Sequence, residues 1–385
     1  MKSFIKLSLV TLLLMLLGFS SQVRSMTSNF YTWLEGNFRK ISFISVPDNA
    51  WTDRYFGSWL QLAPTKFFPN ANCPYSVGWA GGALNIPNRA GTMPGADNIP
   101  LNMIPFGIGV DGVLFDPSGP WYSHTQARTG HPPTPPIVTP PYKPNQASVK
   151  GFNAQNVTDD DCSGWEYEAL STFGRPNLGF DSYFGHVQPL QPQPGTAGRY
   201  HYHGYPWALV EKLIKDKPGK PTYLLGYSAD GFPIYTPWNG SVGFVSGYIL
   251  TPDARGRGDK TGTGKHPDGF YDGTFIQDYD YNPTAKLQFV KNVVAKGVTY
   301  NGVITPWHIQ TGNYRILDSR NGIWGPTPEY PNGTYYYVIT TDWPYIPRWF
   351  AAWPDDTFKQ LIPPERMNLY KLACGSLHKY KNIAY

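Results

Sequence analysis

The sequence predicts a mainly β protein: a single β-rich domain, sandwich-like and antiparallel, with long Pro/Gly-rich loops and one short helix. Three observations carry that expectation. Charged residues make up only 15% of the 385 positions while aromatics reach 16%, the reverse of what a disordered chain shows. Gly (40) and Pro (38) punctuate the chain throughout, so the regular segments between them are short. Two Asp-Gly pairs sit inside alternating apolar runs, a strong local signal for a β-hairpin.

Taken in order, Lys2 and Lys6 precede the apolar run 7–17, LSLVTLLLMLL, and a small-residue zone follows. That is the pattern of a secretory signal over residues 1–25, cleaved after Ser20 or Ser25, and it predicts a secreted protein, extracellular or periplasmic. The run is too short to span a bilayer and no later stretch matches it, so no membrane span is expected. Export permits disulfides, but Cys73, Cys162 and Cys374 allow at most one intramolecular bridge. Cys73–Cys162 is the favoured pairing, since both lie in loop-rich segments ahead of the strands.

Residues 26–104 read as a loop-rich N-terminal region, within which 30–45 mixes aromatic and β-branched residues without a clean period. The main β domain spans 105–355 and a C-terminal tail 356–385. FGIGVDGVLFDP (106–117) alternates around Asp111-Gly112, a pair suited to a two-residue type I′ turn. HPPTPPIVTPPYKP (131–144) is extended polyproline. GRYHYH (198–203) has strand character, and 207–215 forms the helix, opened by Pro206 with Trp207, Val210, Leu213 and Ile214 on one face. LLGYSADGFPIYTPW (224–238) is the second hairpin, around Asp230-Gly231, and TYYYVITTDWPY (334–345) begins as a further strand. Gly198-Arg-Tyr-His-Tyr-His is echoed by Gly333-Thr-Tyr-Tyr-Tyr-Val, as two similar edges of one β structure would be.

The chemistry concentrates in YHYH. On a strand, residues i and i+2 share a face, so His201 and His203 point one way while Tyr200 and Tyr202 pack behind. Neutral imidazoles side by side are suited to a transition metal. His186 is the nearest third ligand, and Asp181 is a fourth ligand or an acceptor for a ligand imidazole. The plainer alternative is a pair of hydrogen-bonded histidines in an aromatic strand. His124, His131, His266, His308 and His378 are scattered and read as loop residues. No H-E-x-x-H, no G-x-S-x-G, no P-loop and no G-x-G-x-x-G that opens a helix occurs. Asp159–Asp161 reads as a solvated acidic turn, Asp278 and Asp280 as one solvated strand face, and Asp230 as a turn residue. The net charge of +5 is spread thinly, so nucleic acid is not an expected partner.

Several motifs occur together in order: GVDGVLFDP (109–117), WEYEAL (165–170), GHVQP (185–189), YHYHGYP (200–206), LLGYSADGFPIY (224–235), QDYDY (277–281), LDSRNG (317–322) and TPEYPNGTYYYVITTDWPY (327–345). Over roughly 105–350 they resemble the YHYH domain family of exported proteins. The resemblance implies one β-rich domain, makes His201 and His203 family positions, and places Asp181 and His186 in the adjoining family segment. The stretch 317–331 holds no cysteine, so no disulfide is carried over there, and the insert 284–316 is long for the family. The expected function is that of an exported metalloenzyme, a Zn- or Cu-dependent hydrolase or oxidoreductase that activates water or O₂. The rival is a non-catalytic protein that binds a carbohydrate or surface through aromatic loops at 205–207, 232–238 and 343–353. A small molecule or carbohydrate is the expected partner in either case.

Overall fold

The computed structural model describes residues 24–27, 30–45, 76–77, 81–101, 104–119, 121–122, 157–158, 166–171, 183–189, 197–251, 271–295 and 312–361. Asp181, the three cysteines with the Cys73–Cys162 pairing, the polyproline segment, Asp159–Asp161 and the five scattered histidines lie outside the described residues.

The chain opens with β1 (Arg24–Thr27), β2 (Phe30–Glu35), β3 (Phe38–Ile44), β4 (Ser76–Val77) and β5 (Gly81–Pro87). Strands β1-β2-β3-β5 form an antiparallel sheet in that order, so the region read as loop-rich holds regular structure. Its period was hidden because the outward face is also apolar: Tyr31, Trp33 and Phe38 are exposed while Phe30, Ile41 and Phe43 are buried.

The main sheet follows with β6 (Gly107–Gly109), β7 (Leu114–Phe115), β8 (Gly185–Pro189), β9 (Ala197–Tyr202), β10 (Leu224–Ser228), β11 (Pro233–Tyr235), β12 (Gly322–Gly325) and β13 (Thr334–Val338). The order is β8-β9-β7-β6-β10-β11-β13-β12, with β4 beside β9. Most pairs are antiparallel, as expected, but β9–β7, β11–β13 and β4–β9 are parallel. A parallel pair needs a long crossover, and the long segments after β7 and after β11 supply two of them. The sheet is therefore mixed.

This order is palindromic about the central β6–β10 pair, and the match reaches single atoms. Val110 N–H donates to Leu225 O at 2.8 Å, and its counterpart Ala229 N–H donates to Phe106 O at 2.8 Å. Both Asp-Gly hairpins close in the same way, by Gly109 N→Val113 O with Gly112 N→Gly109 O, and by Ser228 N→Phe232 O with Gly231 N→Ser228 O. These are three-residue loops, with Gly112 (φ 85°) and Gly231 (φ 96°) left-handed, and not two-residue I′ turns. Tyr202 Oη donates to the buried carboxylate of Asp111 at 2.8 Å, as Tyr337 Oη does to Asp230 at 2.7 Å. Asp230 also accepts from Ser228 and from the Ala351 and Ala352 amides. It is a buried hub and more than a turn residue, with burial pushing its carboxyl above the ordinary range against those bonds. The echo read in the sequence pairs β9 with β13.

Helix α1 (Trp207–Asp216) forms as predicted, except that it buries Leu209, Val210 and Leu213 while Ile214 is exposed. A second helix, α2 (Pro283–Ala295), occupies the insert. Its start was legible: Asn282 Oδ1 accepts from the Ala285 amide at 3.0 Å as a cap, and Pro283 stands at the first position. Asp278 lies in a 3-10 turn (Ile276–Asp278), fully buried, and accepts from the Gly273 and Phe275 amides. Only Asp280 is on the following strand, where it accepts from Thr251 Oγ1, so the two acids do not form a solvated face. One core joins the N-terminal sheet, through Phe30 and Ile86, to Tyr200, Tyr202, Tyr337 and Phe358. The tail thus begins packed: 3-10 residues Asp356–Leu361 bury Phe358 and Leu361. Among the described residues no helix is long and apolar enough to cross a membrane.

Candidate metal centre

Strands β8 and β9 pair antiparallel with His186 directly opposite His201, and directly opposed residues project from one face. The ladder continues one step past β9, where His203 N–H donates to Phe184 O at 2.8 Å. His203 therefore stays in phase with His201. Tyr200 and Tyr202 occupy the other face, fully buried in the main core, which is where alternation placed them. Packing on that side holds the strand that presents the imidazoles.

Gly185 makes this possible. A Cβ at that position would meet the hydroxyl end of the Tyr200 ring, which lies across the strand there. The second half repeats the device, with the Tyr335 hydroxyl against Gly322.

The three imidazoles converge. Ring centroids are 4.5 Å apart for His186–His201, 4.9 Å for His186–His203 and 4.7 Å for His201–His203. One nitrogen from each lies within 4.8 Å of the others, and His186 Nε2 is 3.1 Å from His203 Nε2. Nitrogens sharing a tetrahedral ion with bonds near 2 Å stand about 3.3 Å apart. One edge already has that length, and small side-chain rotations bring in the rest. His201 Nδ1 lies 3.2 Å from Arg199 O. A carbonyl oxygen only accepts, so Nδ1 carries the proton and Nε2 keeps the lone pair a metal needs. His201 and His203 are each 4% exposed and His186 is half-buried, so the group is reached from the His186 side. The set fits a metal ion with soft-to-borderline affinity for nitrogen donors.

The palindrome supplies an internal control. By register, Gly322 faces Tyr337 as Gly185 faces Tyr202, and Ile323 faces Tyr336 as His186 faces His201. Val338 N–H donates to Asn321 O at 2.9 Å as His203 N–H does to Phe184 O. The counterparts of the three histidines are thus Ile323, Tyr336 and Val338. The scaffold is satisfied without imidazoles.

Sequence reasoning missed the two buried tyrosine–aspartate bonds and the buried ion pairs of Arg348 with Glu166 and Glu168 and of Lys286 with Asp342. The Asp-Gly pairs were visible, but a turn signal hides any second role of the aspartate.

The sequence profile of one protein family, described as YHYH protein, matches residues 86–301 and 296–352, together more than half of the chain. No curated protein and no solved structure matches. The match extends upstream of the motifs to the last strand of the N-terminal sheet. With Tyr200-His201-Tyr202-His203 spelling the family's name on β9, the chain belongs to the YHYH protein family.

Proposed function

We propose that this protein is an exported metalloenzyme that holds one divalent transition ion, zinc or copper, through His186, His201 and His203. Asp181 serves as fourth ligand or as acceptor for a ligand imidazole. One observation carries the reading: a scaffold built twice places three convergent imidazoles in one half where the other holds Ile323, Tyr336 and Val338. Buried polar groups cost stability, so histidines that the fold does not need argue for chemistry. A three-histidine ion acts as a Lewis acid with room for a further ligand, activating water, or O₂ when the metal is copper. The residues' own part is to hold the ion rigidly. Arg199 O fixes the tautomer of His201, and the core-packed tyrosines keep β9 from twisting.

The test is metal content by mass spectrometry after purification without a metal-affinity step. The expected result is about one equivalent per chain, lost in the His201→Ala/His203→Ala double variant while circular dichroism is unchanged. Full retention in that variant, or no uptake by the native chain exposed to Zn²⁺ and Cu²⁺, overturns the proposal.

A further inference from the structure

Next to the imidazoles lies a cleft of about 750 Å³, within the usual size range of small-molecule sites. Phe184, the residue before β8, and Tyr205, two residues past His203, both line it. Two aromatic pairs form walls. Tyr279 stacks on Trp343 with centroids 4.0 Å apart and planes 6° apart, and the Trp343 indole N–H donates to Glu168 at 2.6 Å, which locks the ring. Tyr205 meets Trp207 edge-on at 4.5 Å. Among these rings Lys286 Nζ donates to Asp342 Oδ2 at 2.7 Å and to Tyr248 O at 3.1 Å, with both charged side chains 7% exposed.

Two of these features are costs to the fold. A buried ion pair among aromatics costs desolvation that an apolar pair would avoid. Phe184 sits at φ 60°, while its counterpart in the other half is Asn321 at φ 53°. Asparagine tolerates this left-handed conformation, whereas a bulky aromatic is strained there by about 1 kcal/mol or more. The strain is kept where the backbone must turn into β8 and the cleft has a wall.

The geometry points to a saccharide site: the cleft takes one or two neutral pyranose units of a glycan. The C–H face of a pyranose packs on the electron-rich face of an aromatic ring. Neighbouring sugar hydroxyls need a donor and an acceptor together, and an ammonium beside a carboxylate offers both. The pair has no net charge, which suits an uncharged ligand. Phe289 and Leu250, 49% and 42% exposed, extend the apolar surface at the rim, where a longer glycan would continue. Two of the three aromatic loops noted in the sequence, 205–207 and the start of 343–353, meet here. The site does not depend on the metal reading.

The test is calorimetric and fluorescence titration of the full chain with neutral gluco-, xylo-, manno- and N-acetylglucosamine oligomers. Oligogalacturonate and ferulate serve as charged and phenolic comparators. At least one neutral oligomer is expected to bind saturably. Trp207→Ala and Asp342→Asn weaken it by about tenfold or more, and the His201→Ala/His203→Ala variant leaves it within about twofold. Phe289→Ala, half-exposed at the rim, serves should Asp342→Asn fail to fold. Binding of no neutral oligomer, preference for ferulate or oligogalacturonate, or indifference to every folded cleft variant overturns the inference.

Discussion

At the scale of residues, the two tyrosine–aspartate bonds allow the scaffold to be tested apart from the proposed metal site. Tyr202 and Tyr337 are each fully buried, each bonded to a buried aspartate. Losing a hydrogen bond to a charged acceptor costs about 1.5–3 kcal/mol. Tyr202→Phe and Tyr337→Phe should therefore each lower the unfolding free energy by about that much in urea titrations. Both carboxylates keep other donors, the Val113 amide at Asp111 and Ser228 with the Ala351 and Ala352 amides at Asp230, and the Tyr337 hydroxyl also accepts from the Ala351 amide, so neither loss should unfold the chain. Neither variant should change metal stoichiometry, since both rings lie behind the strand. Metal loss in Tyr202→Phe alone would show that this ring does more than hold β9. The alternation that put Tyr202 behind the strand was legible in four letters. Its partner Asp111, far away in sequence, was not, because a hydrogen bond between distant strands leaves no local pattern.

At the scale of elements, the site depends on how closely β8 lies against the Tyr200 ring. Gly185→Ala and Gly322→Ala introduce the same methyl against the same kind of tyrosine hydroxyl, in equivalent places. Overpacking of this kind costs about 1–3 kcal/mol, so both should be destabilised comparably. Only Gly185→Ala should weaken metal binding in a competition titration, because its neighbour His186 rides on the displaced backbone. Equal weakening by Gly322→Ala would mean that affinity follows overall stability and not local placement. The hairpins, α1 and the strand of YHYH were readable because each carries its own period or turn residues. The N-terminal sheet was not, since exposed Tyr31, Trp33 and Phe38 erase the polar half of its alternation. Helix α2 was overlooked although Asn282-Pro283 marks its start. Beyond that start its pattern is weak, because buried Lys286 occupies the position one turn before Val290, where a core residue is expected.

At the scale of the molecule, one architecture used twice asks whether the histidines serve the fold or work against it. Their counterparts answer for the other half: Ile323 and Val338 fill the equivalent positions, 8% and 0% exposed. Exchanging His186→Ile and His203→Val copies that solution into the first half with side chains of similar volume. Imidazoles kept for chemistry are a cost to the fold, because their ring nitrogens must be desolvated, and sites of this kind commonly trade stability for activity. Compared without metal, the double variant should therefore melt at the same temperature as the native chain or a few degrees higher, as expected for a gain of up to about 1 kcal/mol. It should bind no metal, and added Zn²⁺ or Cu²⁺ should raise the melting temperature of the native chain alone, by linkage to binding. Melting curves of both proteins, with chelator and with each ion, check all of this together. A drop of several degrees in the metal-free variant would mean that the three rings hold β8 and β9 together on their own. YHYH would then be an aromatic strand whose histidines are structural.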